Sequence, residues 1–141
     1  MRDDKFRLSE IRVEVCIIQN FMSDHNRVGC SGWLDDRHRP NRFYIDVDSN
    51  LSYDTALISL AHELVHIKQM AMGERAEGLD GMIRWFGRPY DVAQIHYYDL
   101  PWEIEAHGRE YGLYDRFVQS IRNEELEPAK IIDVTQRLRV A

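Results

Sequence analysis

The chain has 141 residues, 30% of them charged and 44% hydrophobic, with a formal net charge of −6 and a pI near 5.5. That composition fits one soluble, globular domain spanning 1–141, long enough to bury a core without staples. The acidic balance argues against a general nucleic-acid binder, because no basic surplus is available to neutralise phosphates.

The first ten residues, MRDDKFRLSE, hold no apolar stretch of signal-peptide length. No apolar run approaches the ~20 residues of a membrane span. Cys16 and Cys30 do not form a CxxC pair and are too few for a disulfide framework. Both are therefore expected as free thiols in a reducing compartment, which makes a cytoplasmic location the expectation, with no membrane partner.

In IRVEVCII, Ile11, Val13, Val15 and Ile17 alternate, and the β-branched content favours a strand over a helix. SDHNRVGCSGW has the composition of a turn, and DDRHRPN that of a loop. RFYIDVDSN predicts a clearer strand, with Phe43, Ile45 and Val47 on one face and Tyr44, Asp46 and Asp48 on the other. A helix follows over Thr55–Met72, with Ser52 or Asp54 as its cap and Gly73 as its stop. Leu57, Leu60, Ala61, Leu64 and Ala71 form one apolar stripe, and Ile58, Val65 and Met72 a second, which is the pattern of a central, buried helix. GERAEGLDG reads as a loop and residues 82–99 as aromatic and partly extended, with Trp85 and Trp102 as core anchors. Arg84, Arg88 and Arg109 read as solvated. A second long helix begins near Pro101, a residue suited to a first turn, and runs to about Ile121. NEELEP breaks it, and AKIIDVTQRLRV predicts a short terminal helix in an extension over 123–141, outside a core of about 42–122.

The chemistry sits in LAHELVHIKQ. His62 and His66 are four apart, so on a helix they lie one above the other and can converge on one Zn²⁺. Glu63 is turned about 100° from His62 and flanks that position, where a carboxylate can take a proton from a zinc-activated water. The plain alternative is a helix that merely carries two histidines, at a cost in burying them unpaired. Zinc needs a third protein ligand. The continuation HExxHxxGxxH fails, since Gln69 and Met72 occupy those places. PWEIEAHGRE offers Glu103 and Glu105 instead. Glu105 faces Arg109 at i+4 in the order that suits a surface pair, whereas Glu103 shares a face with His107 and, more loosely, Glu110. Spacing therefore favours Glu103. His107 is then an outer partner of the site or simply a half-exposed helix histidine. Gly108 and Gly112 imply either close approach of the first helix or a break in the second. His96, Tyr97 and Tyr98, just ahead of that helix, are unranked candidates for stabilising an oxyanion.

HELVH followed by EIEAH resembles the gluzincin metallopeptidases, and the string from RFYIDVD to LPWEIEAHG, about residues 42–115, is similar to small phage-encoded peptidases of this type and to SprT-like domains. The resemblance matches His62, His66 and Glu103 to the ligands of one Zn²⁺ and Glu63 to the catalytic glutamate. It departs at His107, where gluzincins usually carry Asp. It implies an α+β fold: a compact minimal zincin, its small mixed or antiparallel sheet packed on the HExxH helix and on a second, Glu-bearing helix. RFYIDVD matches the edge strand that lies over the active-site helix and binds extended substrate. The expected function is a zinc-dependent endopeptidase acting on peptides or proteins. The alternative is a zinc-binding regulatory or structural module, for example a phage-related one, with little or no proteolysis. Glu63 favours the enzyme, since a structural site fills its positions with protein and has no use for a carboxylate beside an open one.

Overall fold

The computed structural model describes residues 10–36, 39–123 and 139–140. The fold is α+β, a small mixed sheet packed against the helices that carry the histidines and glutamates. Strand β1 (Arg12–Ile18) leads through a short helix, α1 (Phe21–His25), to the hairpin of β2 (Gly29–Trp33) and β3 (Arg42–Asp48). The long helix α2 (Tyr53–Ala71) follows. Next come three short strands, β4 (Arg75–Glu77), β5 (Ile83–Trp85) and β6 (Arg88–Tyr90), and then the second long helix, α3 (Pro101–Arg122). A last pair, β7 (Arg139–Val140), returns to the main sheet.

That sheet has the order β2-β3-β1-β7. β1 runs parallel to β3 from Arg12↔Arg42 to Ile18↔Asp48, and β2 antiparallel to β3 from Gly29↔Val47 to Trp33↔Phe43. The alternation read in RFYIDVD sets how the sheet packs. Phe43, Ile45 and Val47 are buried against Ile67, Met70 and Ala71 of α2. The start and stop of α2 are also as the sequence implies: the Ser52 hydroxyl accepts from the Thr55 N–H at 3.3 Å. At the other end Gly73 takes φ +71°, so that its N–H reaches the Met70 carbonyl and the Glu74 N–H that of Gln69. This places His62 and His66 in the middle of a helix fixed at both ends.

Four expectations are corrected. GCSGW is a strand, not a turn, because β3 supplies its pairing and its glycines answer to crowding. A Cβ on Gly29 would lie 2.9 Å from Ser59 Oγ and 3.0 Å from the Asp46 carbonyl oxygen, and one on Gly32 2.7 Å from the Tyr44 ring. RFYIDVD, matched by the resemblance to an edge strand, lies inside the sheet, and the edge beside α2 is β2. Within GERAEGLDG, Arg75–Glu77 is a strand, paired antiparallel with β5. At the C-terminal end Arg139–Val140 pairs parallel with Cys16–Ile17 as a strand rather than a helix; the rest of AKIIDVTQRLRV, and NEELEP after Asn123, lie outside the described residues.

The helix α3 is continuous through Gly108 and Gly112, and a Cβ at either would meet nothing within 4 Å. Neither a break nor a close approach explains these two residues, and the structure offers no other reason for them. Trp102 is 1% exposed and joins the small sheet to α3, with ring centroids 6.3 Å from Trp85 and 5.9 Å from Tyr90. Trp85 itself is half-buried. Among the described residues no helix is long and apolar enough to cross a membrane.

Candidate metal centre

The first turn of α3 lies against the middle of α2, and there three side chains meet. His62 Nε2 and His66 Nε2 are 3.1 Å apart, and Glu103 Oε2 lies 3.2 Å from the first and 3.3 Å from the second. A tetrahedral zinc with bonds of 2.0–2.1 Å requires ligand atoms about 3.3 Å apart. The three atoms therefore already form one face of such a tetrahedron. All three residues are buried. Two imidazole nitrogens and a carboxylate oxygen also make a donor set that suits zinc.

The outward nitrogens of both rings are held by acceptors. His62 Nδ1 donates to Glu110 Oε2 at 2.8 Å, and His66 Nδ1 to Gln69 Oε1 at 2.9 Å. The orientation of the Gln69 amide is fixed by its other end, whose N–H groups donate to the Trp102 carbonyl and to Glu105 Oε1, both at 3.0 Å. With Nδ1 protonated on each ring, the Nε2 lone pairs point inward, as metal binding requires. Burial pushes the Glu103 carboxyl up, but the close imidazoles of His62 and His66 and the hydrogen bond from the Tyr97 hydroxyl outweigh it and hold the group well below the usual carboxylate range. Burial works against protonation of His62, while Glu103, Glu110 and Glu63 together raise its pKa.

Glu63 is buried but outside this triangle. Its Oε2 accepts from the Ser31 hydroxyl at 2.6 Å, which ties it to β2, and Oε1 makes no hydrogen bond among the described residues. Glu105 has the structural place expected of it, and more. It meets Arg109 Nε at 3.4 Å, Lys68 Nζ at 3.3 Å and the Gln69 amide. Arg84 likewise pairs with Asp80, and Arg88 lies over Tyr90.

His107 is brought to the cluster. Its ring is 4.5 Å from that of His62, Nδ1 is 3.3 Å from Glu110 Oε2, and Nε2 is 3.3 Å from the Tyr97 hydroxyl. Donor atoms of His62, Glu103 and His107 lie within 4.8 Å of one another, a looser set than the triangle that includes His66. The tighter set is the one with zinc dimensions. Of the three residues ahead of α3, only Tyr97 reaches a triangle atom, its hydroxyl donating to Glu103 Oε2 at 2.8 Å. Burial and the Glu103 charge raise its pKa, so it remains a donor. Tyr98 packs on His107, and His96 stacks on Tyr98 and accepts from its N–H.

Three partners carry no role in the sequence reading: Glu110, Gln69 and Ser31. Gln69 stands at i+3 from His66 and Glu110 at i+7 from Glu103, so helical spacing gave a signal for both. Ser31 is 32 residues from Glu63 and gave none.

Gln69→Leu should destabilise the fold by about 1–3 kcal/mol, because it strands buried polar groups on His66, Trp102 and Glu105. Zinc affinity should fall as well, by about 10–100-fold, through loss of the His66 orientation. Urea melts and a chelator competition would show both; a variant unchanged in affinity would mean that Gln69 only packs.

The clustered His62, Glu63, His66, Glu103 and His107 are consistent with an HExxH-type zinc-binding site in a compact, zincin-like α+β fold. Comparison with family models, with curated proteins and with solved structures gives no match.

Proposed function

We propose that this chain is a zinc-dependent endopeptidase of minimal gluzincin type, with one Zn²⁺ held by His62, His66 and Glu103. The observation that carries the reading is the triangle of 3.1, 3.2 and 3.3 Å with Glu63 beside it and outside it. Zinc bound there would supply a Lewis acid for a peptide carbonyl and lower the pKa of the attacking water.

The remaining work falls to the chain itself. Glu63 takes the proton from that water and passes it to the leaving amine. Ser31 anchors one Glu63 oxygen and leaves the other to receive the proton. Tyr97, protonated and adjacent to Glu103, is the best placed of the three candidates to donate to a developing oxyanion. The open side of β2 takes an extended peptide as an added strand, in the role that the resemblance gave to RFYIDVD. The shallow site of so small a fold implies modest selectivity on protein or peptide substrates. The reducing compartment read from Cys16 and Cys30 makes the cytoplasm the proposed location.

Glu110 and His107 form the outer layer. Glu110→Ala is expected to weaken zinc binding by about 10–100-fold, since it removes the acceptor that orients His62. His107→Ala should act in the same direction and less strongly, through its contacts with Glu110 and Tyr97. Chelator competition at fixed pH checks both. A Glu110→Ala protein with native affinity would remove this layer from the account.

The test of the function is metal analysis of the purified protein together with a peptide-library digest. Stoichiometric zinc, with cleavage that a chelator abolishes and zinc restores, is the expected result. A fully zinc-loaded protein that cleaves nothing in a broad library would favour the regulatory or structural module.

A further inference from the structure

Arg75 opens β4, half-buried, with its guanidinium over the Trp102 ring at 5.3 Å. Trp102 immediately precedes Glu103, and its carbonyl holds the Gln69 amide. The guanidinium thus lies where the small sheet meets the first turn of α3, against the residue that precedes Glu103. It carries five N–H donors in a planar fork. Among the described residues its side chain makes no hydrogen bond and no ion pair, and none of its nitrogens is among the unpartnered polar atoms sealed from solvent. The neighbouring cations differ. Lys68 meets Glu74 at 2.8 Å, Arg84 meets Asp80 at 2.8 Å, and Arg109 meets Glu105 at 3.4 Å.

Burial disfavours the charge on Arg75, and the carboxylates that act to keep it are Glu103, then Glu77 and Glu63. It is therefore a cation within the field of the site's own acids, over the Trp102 ring, with a fork that no protein acceptor satisfies among the described residues. A guanidinium held in this way is suited to a bidentate carboxylate. The site around it is otherwise acidic, with Glu63, Glu103 and Glu110, so an anionic ligand needs such a cation to approach.

We propose that Arg75 is a carboxylate-binding subsite of the cleft, reading an acidic side chain or a free C-terminal carboxylate on a peptide held beside His62, His66 and Glu103. The proposal rests on the peptidase reading and narrows its substrates to peptides with a carboxylate near the scissile bond.

The test uses zinc-loaded full-length Glu63→Gln, in which binding is measured without turnover. The probes are acetylated hexapeptide pools of random sequence in three forms: a fixed Glu with an amidated C-terminus, a fixed Gln with an amidated C-terminus, and a fixed Gln with a free C-terminus. At least one carboxylate pool should bind about 10–100-fold more tightly than the Gln amide pool, as a charge-assisted pair implies. Which pool gains identifies the source of the carboxylate. Adding Arg75→Gln should abolish the difference, and Arg75→Lys should leave only part of it, because an ammonium lacks the fork. If Arg75→Gln fails to fold, as thermal melting would show, Arg75→Lys carries the test. The absence of any carboxylate preference, or its persistence unchanged in the Arg75 variants, would overturn the proposal. Digestion of the same pools by the wild-type protein keeps the two readings apart. Cleavage without carboxylate preference removes the subsite and leaves the peptidase. An Arg75-dependent preference in binding with no cleavage leaves the subsite and removes the peptidase.

Discussion

Glu103→Ala is expected to leave the purified protein without stoichiometric zinc, while Glu105→Ala keeps it. The two glutamates are two residues apart on α3 and face different surroundings. Glu103 Oε2 sits 3.2 and 3.3 Å from the two imidazole Nε2 atoms. Glu105 instead holds Lys68, Gln69 and Arg109. Losing Glu103 leaves two nitrogens, one short of the three protein ligands of an open zinc site. The loss of affinity should exceed the roughly 10–100-fold typical of an outer partner. Losing Glu105 removes one acceptor from the buried Gln69 amide, a matter of about 1 kcal/mol in stability. Metal analysis of both variants, with circular dichroism to confirm folding, decides the point. Zinc lost from Glu105→Ala and kept by Glu103→Ala would reverse the ligand choice.

The parts of this molecule that were legible in the sequence are those in which the signal is local. The alternation of Phe43, Ile45 and Val47, the Ser52 cap, the Gly73 stop and the His62–His66 spacing each depend on residues within one turn or one strand, and each is found in the structure. Helical phase also sets Glu103 toward the two imidazoles and Glu105 toward Arg109, with Lys68 and Gln69 of α2 as partners of Glu105 that the spacing did not suggest.

What the sequence did not disclose depends on partners far along the chain. GCSGW has the composition of a turn, and only β3 on one side, with Ser59 of α2 pressed against Gly29, makes it a strand. Which strand forms the edge is a matter of sheet order, which no residue of RFYIDVD encodes. Ser31 reaches Glu63 only because β2 occupies that edge. Gly108 and Gly112 show the opposite failure: their local cost implies a close approach or a break, and the helix shows neither.

The second large effect concerns Glu63, and it separates an enzyme from a zinc-binding scaffold. Glu63→Gln is close to isosteric. Its amide oxygen can accept from the Ser31 hydroxyl where the carboxylate now does, so β2 and α2 should stay as they are. Glu63 is not part of the 3.1–3.3 Å triangle, so zinc should remain bound. An amide cannot take a proton from the attacking water, however, and general acid–base catalysis is typically worth about 10²–10⁴-fold. A loss of at least that order in turnover is expected at unchanged zinc content. The retained metal distinguishes this variant from Glu103→Ala, in which activity would fall because the site itself is lost.

The most direct test of the account is therefore a paired measurement on wild type and Glu63→Gln: zinc per chain, and the rate of cleavage of one peptide that the wild type hydrolyses. Equal zinc is expected in the two proteins, with a rate in Glu63→Gln lower by about 10²-fold or more. Equal zinc with equal rates would contradict it.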